Sequence, residues 1–461
     1  MRFLFTTIQF QESDFFRRVS LALAELGHSS THVTISRRSA GELRASGLET
    51  HCLPDLLAAA ADVNVDAELA RIESRYAIPS VRDVYSTDPV CAGHSEQWCI
   101  ERTVRHFVAL ERVFDEAQPD VVVPEVGSET MRTVAHLVGR DRGATVFFLF
   151  YTIFPQPLRL YADDYHKPIV PQAEVRELTP EERDEVETFI RDFTSSAKPI
   201  LAHRRSVLNR KNLRDFARHT VTSLTADRDN EYLRPSKFVT GYLRTNTRRI
   251  AARRHYDKCD ASRPFVYFPL HVTEDFKVKR VIPHCADQEY IVKQVADALP
   301  QGYDLVLKEH PVSIGRNPSG MLRRLTQRQN VRLISPYTSS HELIREAAAV
   351  IVISSTVGLE ALLYGQPVLT MGQPFYSGYG VTLDVDSFRE LREAVPAVLR
   401  FQPDRERTLQ FLHAAMRSTY EGAPGGVDPS DENAARLAAS LDEAARNLRA
   451  GAAAPEVVGA G

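Results

Sequence analysis

The sequence predicts an α/β protein made of two doubly wound parallel-sheet domains with a basic helical insertion between them. Three observations carry this expectation. Short apolar, β-branched runs alternate with amphipathic helical stretches in each half, the βαβ rhythm of parallel sheets covered on both faces. The chain has 461 residues, long for one domain and comfortable for two. Between the halves, Lys198 to Lys258 holds 16 Lys or Arg against 5 Asp or Glu, a formal +11 in a chain of net charge −3.

In chain order, the first domain is expected over residues 1–155. Arg2 to Thr7 reads as a strand, Phe15 to Leu26 as an amphipathic helix closed by Gly27, and Thr31 to Ile35 as the second strand. Asp66 to Tyr76 and Glu96 to Ala117 read as helices. Asp120 to Val123 is a strand, Glu129 to Arg140 a helix, and Thr145 to Tyr151 a further strand. No G-x-G-x-x-G follows the first strand, so a dinucleotide fingerprint is absent, and no repeat of solenoid period is found.

The insertion is expected over 156–262. Thr179-Pro180-Glu181-Glu182 has the form of a helix start, with threonine as cap and proline at the first helical position. The basic stretch lacks interleaved aromatics and any nucleic-acid motif, so nucleic acid is not an expected partner. A solvated helical hairpin accounts for it as well as a surface for anionic lipid or a polyanionic glycan does.

The second domain is expected over 263–401, with strands at Phe265 to Pro269, Asp304 to Leu307, Val331 to Ile334, Ala349 to Ile353 and Pro367 to Thr370. Helices alternate with them at Asp287 to Leu299, Ser319 to Arg328, Ser339 to Ala347 and Val357 to Tyr364. Terminal helices are expected over 402–448, then a small-residue tail over 449–461 that reads as disordered.

Composition narrows the class. Hydrophobic content of 43% and charged content of 25% are ordinary for a globular protein. The amino terminus reads as a first strand and not as a signal peptide, and the apolar run Ala144 to Phe154 is too short to span a bilayer. Five cysteines without C-x-x-C spacing argue for a reducing compartment and against structural zinc. The expected location is cytoplasmic, with peripheral contact at the inner membrane face left open by the basic segment.

Chemistry concentrates in the second half. In AVIVISSTVGLEALLYGQP, from Ala349 to Pro367, a buried strand turns through Ser354, Ser355 and Thr356 into a helix. Free backbone N–H groups, the positive dipole end and small hydroxyls suit a phosphate there. Alone, Ser-Ser-Thr would be read as an N-cap. Two further loops shift the balance. Lys308-Glu309-His310-Pro311 ends another parallel strand, where polar residues lie on the ligand edge of an α/β sheet. Gly372 to Thr382, GQPFYSGYGVT, follows the next strand at the same edge.

KEHP, SSTVGLEALLYGQPVLTMG and PFYSGYGVT resemble the C-terminal half of the capsule polysaccharide synthesis proteins. These include bacterial transferases that use CMP-linked 3-deoxy-octulosonate (Kdo). The His-Pro and Ser-Ser/Thr pair also resembles the CMP-binding motifs of bacterial sialyltransferases. Both groups have the GT-B fold, two Rossmann-like domains facing across a cleft, with the nucleotide held by the C-terminal one. The resemblance covers Phe265 to Asp384 well. Glu309 departs from the small residue or proline found before the histidine in many relatives.

The resemblance implies a metal-independent glycosyltransferase without a cofactor. Its nucleotide-sugar donor, CMP-linked by preference, and a glycan or glycolipid acceptor are substrates. By carry-over, Lys308, His310, Pro311, Ser354, Ser355 and Thr356 would hold the leaving phosphate and ribose, and Glu360 the ribose hydroxyls. His271, Glu274, Asp275, Lys279 and Tyr376 are candidate donor-sugar contacts, with Phe375 beside them and Lys277 and Arg280 as further partners for an acid sugar's carboxylate. An inverting mechanism needs a carboxylate base in the N-terminal domain. Glu125, which ends its strand, ranks above Asp14, which could instead cap a helix. Glu129 is expected too far into its helix. Asp163-Asp164 lacks the context of a metal-binding D-x-D. Rival readings are a UDP-sugar transferase, a CDP-glycerol-type phosphotransferase, an epimerase of the same fold, or an inactive capsule-assembly subunit.

Overall fold

The computed structural model describes residues 1–165, 169–196, 227–257, 263–272 and 275–453, with single positions 214, 220, 221 and 225 between them. The chain forms two compact units. One comprises Met1–Lys167, Asp215–Pro235 and Thr419–Gly461, the other Pro168–Arg214 and Ser236–Ser418.

The first unit is built on β1 (Arg2–Thr7), β2 (Ser29–Thr34), β3 (Glu49–Cys52), β4 (Val121–Val123), β5 (Thr145–Tyr151) and β6 (Leu158–Ala162). They lie in the order β3-β2-β1-β4-β5-β6. All neighbours are parallel except β6, which runs antiparallel to β5 from Tyr151↔Leu158 to Phe147↔Ala162. Parallel strands covered on both faces are apolar throughout, and Val121, Val122 and Val123 are fully buried. The helix Phe10–Glu25 and the terminal helix Asp431–Ala453 bury Phe15, Phe16, Val19, Leu437 and Leu441 in one cluster with Phe3 and Phe5 of β1.

The second unit repeats the plan with β7 (Phe265–Leu270), β8 (Asp304–Glu309), β9 (Val331–Ile334), β10 (Ala349–Val352), β11 (Val368–Thr370) and β12 (Leu383–Asp384). Every neighbouring pair is parallel, and the order is β12-β11-β10-β7-β8-β9. In both units the first strand sits centrally and the chain reverses direction of growth between first and fourth strands. That is the order of the Rossmann-type sheet, and its ligand crevice lies outside the carboxyl ends of those two strands. Two such units in one chain form a GT-B-like α/β fold.

Several boundaries differ from expectation. The first unit runs past 155, because β6 returns antiparallel to close the edge of its sheet. Among the described residues, those of 156–262 are divided between the two units and form no separate one. The helix Pro180–Ser195, capped by a Thr179–Glu182 box, counts with the second unit, whereas Asp227 and Asp229 are stapled to the first by Ser36 and Arg37. The terminal helices also part. Arg405–Arg417 joins the second unit, where Phe411 packs on Phe375 and Tyr379, and Asp431–Ala453 the first, where Leu437 and Leu441 pack with Phe3 and Phe5. Residues 449–453 continue the last helix and are not tail; 454–461, and 198–213, 215–219, 222–224, 226 and 258 of the basic stretch, lie outside the described residues. The short polar strand Glu49–Cys52 had no apolar run to announce it.

Candidate functional site

At the carboxyl edge of the second sheet, β7, β8 and the turn after β10 enclose a pocket of about 150 Å³. Its wall includes Tyr267, Lys308, His310, Ser340, Ser355 and Glu360. Alternation along β8 sorts its last residues. Lys308 points to the pocket and donates to Ser340 Oγ, while Glu309 points the other way, fully buried, accepting from Tyr256 and from Asn317 Nδ2 at 2.6 Å. Glu309, the departure from the family pattern, is among the residues around the pocket, but Tyr256 and Asn317 engage both its carboxylate oxygens.

His310 caps the short 3₁₀ turn Pro311–Ser313. Its Nδ1 accepts from the Val312 amide at 3.2 Å. That fixes the proton of the neutral ring on Nε2, the nitrogen left to donate to a ligand. Desolvation by the pocket wall, with Lys308 nearby, lowers its pKa, so the ring is a neutral donor at pH 7.

Ser355 caps the helix Thr356–Leu363, its hydroxyl accepting from Val357 N at 3.2 Å. The turn is held from two sides. His271 Nε2 accepts from the Ser354 amide at 3.2 Å, and Tyr376 donates to the Ser355 carbonyl. Burial pushes the His271 pKa down to about 4, which keeps the acceptor nitrogen unprotonated.

These contacts correct two assignments. Tyr376 is 1% exposed and packs on Gly358, so it braces the turn and cannot line a sugar site. His271, expected to touch the donor sugar, spends its Nε2 on the Ser354 amide. Asp275 takes the Lys277 amide at 2.8 Å and, through its carbonyl, the Lys279 amide at 3.0 Å, opening the turn Lys277–Val281 that carries Lys277, Lys279 and Arg280. Glu274 lies outside the described residues. Phe375 packs on Tyr376 and Phe411.

Two pocket charges are displaced from their usual range. Burial raises Glu360 to about 7, against the pull of Lys308. Burial likewise lowers Lys308 to about 8, with Glu360 opposing. Lys308 donates to Ser340 rather than to Glu360, so both groups keep bonding capacity for a ligand. Tyr267 and Ser340 were not singled out from sequence. Tyr267 looks like any aromatic in a buried strand, and Ser340 like a polar residue beside the N-cap Ser339.

In the first unit, the equivalent edge carries a different constellation. Glu125 follows β4 in a left-handed conformation, φ 60°. Arg132, one turn into the helix Thr130–Asp141, is 6% exposed. It donates to both Glu12 carboxylate oxygens at 2.9 Å and to the Val126 carbonyl at 2.8 Å, and approaches Glu129 Oε2 at 3.4 Å. A Cβ on Gly127 would sit 2.0 Å from Glu129 Oε2 and 2.4 Å from Arg132 Nη1, so a larger residue would displace both side chains. Burial raises Glu125 to about 7, Arg132 opposing and Glu12 assisting. Asp88 anchors the next residue, accepting from the Thr130 amide at 2.9 Å and hydroxyl at 2.7 Å.

Asp14 does not belong to this constellation. The helix starts at Phe10 rather than Phe15, which places Asp14 a turn inside it, paired with Arg17 at 2.9 Å and Arg18 at 3.2 Å. Glu129 is the N-cap of its helix, nearer the edge than expected. Glu12 and Arg132 were missed. Their only signal was the three-residue spacing of Gln9 and Glu12, which form a capping box. Asp163 follows the end of β6 and accepts from Val146 N of β5 at 2.8 Å, a structural contact.

A family model described as capsule polysaccharide biosynthesis protein matches residues 166–415, more than half of the chain. The chain belongs to this capsule polysaccharide biosynthesis family. The match contains the whole pocket around His310 and Ser355, and leaves Glu12, Glu125 and Arg132 outside it. Protein FixF of Sinorhizobium fredii is 30% identical over 177 residues, 38% of this chain and 42% of that protein. The capsule polysaccharide modification protein LipA of Neisseria meningitidis serogroup A is 35% identical over 117 residues, 25% of this chain and 16% of LipA. These matches span less than half of either relative. Among solved structures, the β-Kdo 2,4 transferase KpsC of Thermosulfurimonas dismutans aligns with TM-score 0.38 at 17% identity, over 64% of this chain and 79% of that one. The calicheamicin glycosyltransferase CalG4 aligns with TM-score 0.30 at 15% identity, over 98% of this chain and 99% of that one.

Proposed function

We propose that this capsule-family protein is a glycosyltransferase. It moves a sugar from a nucleotide donor, CMP-linked Kdo or a related acid sugar by preference, onto a glycan or glycolipid acceptor. The observation that carries the reading is the convergence of His310 Nε2, the Ser355–Thr356 helix start and the Lys308–Glu360 pair on one pocket. Helix dipole, the Ser355 and Thr356 hydroxyls and a neutral imidazole donor together suit a departing phosphate without a metal. Glu360 is placed to accept from ribose hydroxyls. The preference for CMP rests on the resemblance of the His-Pro and Ser-Ser-Thr motifs.

In the reaction, the bond from anomeric carbon to phosphate oxygen breaks and its electron pair leaves on the nucleotide phosphate. The acceptor oxygen forms the new bond, and its proton passes to Glu125. A carboxylate with a pKa about 7 is ionised often enough at neutral pH to act as base and is basic enough to be effective.

The test is a calorimetric and thermal-shift titration with CMP, UMP, UDP and CDP-glycerol on wild type and His310→Ala. Selective stabilisation by CMP is expected, about 2.7 kcal/mol at a hundredfold excess over Kd, and weakened in the variant. Preference for UDP or CDP-glycerol would replace the donor assignment, and conversion of donor alone would indicate an epimerase. Silence from every nucleotide would leave an assembly subunit. Glu125→Gln is expected to lower transfer by about 10²–10⁴-fold while leaving nucleotide binding intact.

A further inference from the structure

The helix Pro235–Ala252 turns three apolar side chains to solvent, while Arg248 and Arg249 reach toward the protein and Ala252 is buried at its end. Val239, Leu243 and Ile250 are 39%, 58% and 68% exposed. At 3.6 residues per turn, their spacings of four and seven place them within about 40° of one another on one face. The opposite face is tied down. Arg248 donates to the Arg316 carbonyl at 3.1 Å and Arg249 to the Tyr337 hydroxyl at 3.0 Å. Gly315 packs so closely that a Cβ there would lie 2.1 Å from the Thr245 carbonyl oxygen. Surface helices ordinarily do the reverse, facing their apolar stripe inward.

Cations border the exposed stripe. Arg244 adjoins Leu243, and Arg253 and Arg254 follow the helix end; all three are exposed. An apolar stripe edged by arginines matches an anionic lipid surface, where the aliphatic groups enter the headgroup boundary and the guanidiniums meet phosphates. A soluble polyanion would engage the arginines and leave the stripe wet.

We propose that the outward face of this helix docks the protein on an anionic membrane surface. The helix packs on Gly315 and Arg316, which follow His310 and Pro311 in the chain. The proposal does not depend on which nucleotide fills the donor pocket.

The test is flotation of the full chain with vesicles of phosphatidylcholine alone and of phosphatidylcholine with phosphatidylglycerol. Wild type should float with the anionic vesicles and not with the neutral ones. Leu243→Gln with Ile250→Gln should weaken binding by about tenfold or more. Arg244→Glu with Arg254→Glu should weaken it by about fivefold or more per arginine and flatten the salt dependence. All four positions are exposed, and unchanged melting temperatures would show the variants folded. Absence of flotation by wild type would overturn the proposal. So would unchanged binding by the glutamine pair, which would indicate a purely electrostatic polyanion surface. A concentration-dependent dimer that the glutamine pair renders monomeric would overturn it too, since a second copy would then cover the stripe.

Discussion

At the residue scale, Glu125 depends on a neighbour that a reading of the sequence passes over. Glu12 holds Arg132 with two hydrogen bonds at 2.9 Å and adds a negative charge that raises Glu125 against the pull of Arg132. Glu12→Gln would free Arg132 and remove one negative charge, and both changes favour the Glu125 anion. The Glu125 pKa, about 7 in the native site, should therefore fall. Infrared titration of the carboxyl band, assigned by its loss in Glu125→Gln, checks this, and a fixed or rising midpoint would contradict it. Glu125 itself was legible because it follows an apolar run at a strand end. Glu12 was not, because its partner is 120 positions away and no local pattern announces an ion pair of that kind.

At the scale of the element, the start of the helix Thr356–Leu363 shows how the turn proposed to hold a phosphate is braced. Its amide and carbonyl groups are held by His271 and Tyr376, and Tyr376 reaches them only because position 358 is glycine. A Cβ there would lie 2.2 Å from the Tyr376 hydroxyl. Gly358→Ala should cost about 1–3 kcal/mol by overpacking, measured by urea unfolding, and the Gly358→Ala, Tyr376→Phe double variant should recover part of it. Equal stability of Gly358→Ala and wild type would refute the brace. The strand, turn and helix could be read from apolar period and hydroxyl caps. Tyr376 as a brace could not, since exposure decides whether an aromatic beside a glycine turn lines a site or locks it.

At the scale of the whole molecule, two carboxyls with raised pKa values set a pH dependence of stability. Glu125 and Glu360 are each raised from 4.5 to about 7. Below pH 4.5 both are protonated in folded and unfolded chains alike, and their favourable contribution is complete. Between pH 4.5 and 7 the folded state keeps protons that the unfolded state releases, so stability falls as pH rises. Glu360→Gln, which keeps shape and removes the titration, should raise stability at pH 8 by on the order of 2–3 kcal/mol relative to wild type. It should also flatten that part of the profile in thermal unfolding at pH 5 and pH 8. Parallel profiles would show that Glu360 is not the group responsible.

The sequence by itself determined the inner strands of both sheets, though not β3, β6 or β12 at their edges, together with the strand ends that carry the pocket loops and the motif set by which the family was suspected. Period, capping and β-branched runs are local signals, and parallel sheets make each apolar run a strand with a ligand edge. Only the tertiary structure decided that Glu309 is engaged by Tyr256 and Asn317 while Lys308 faces the pocket, that Asp14 is paired with Arg17 and Arg18, and that Arg132 gathers Glu12 and Glu129 beside Glu125. It also decided which face of the helix Pro235–Ala252 meets solvent. Each of these turns on what lies opposite a side chain across the fold, and burial, partner and charge at that distance leave no mark on neighbouring positions in the chain.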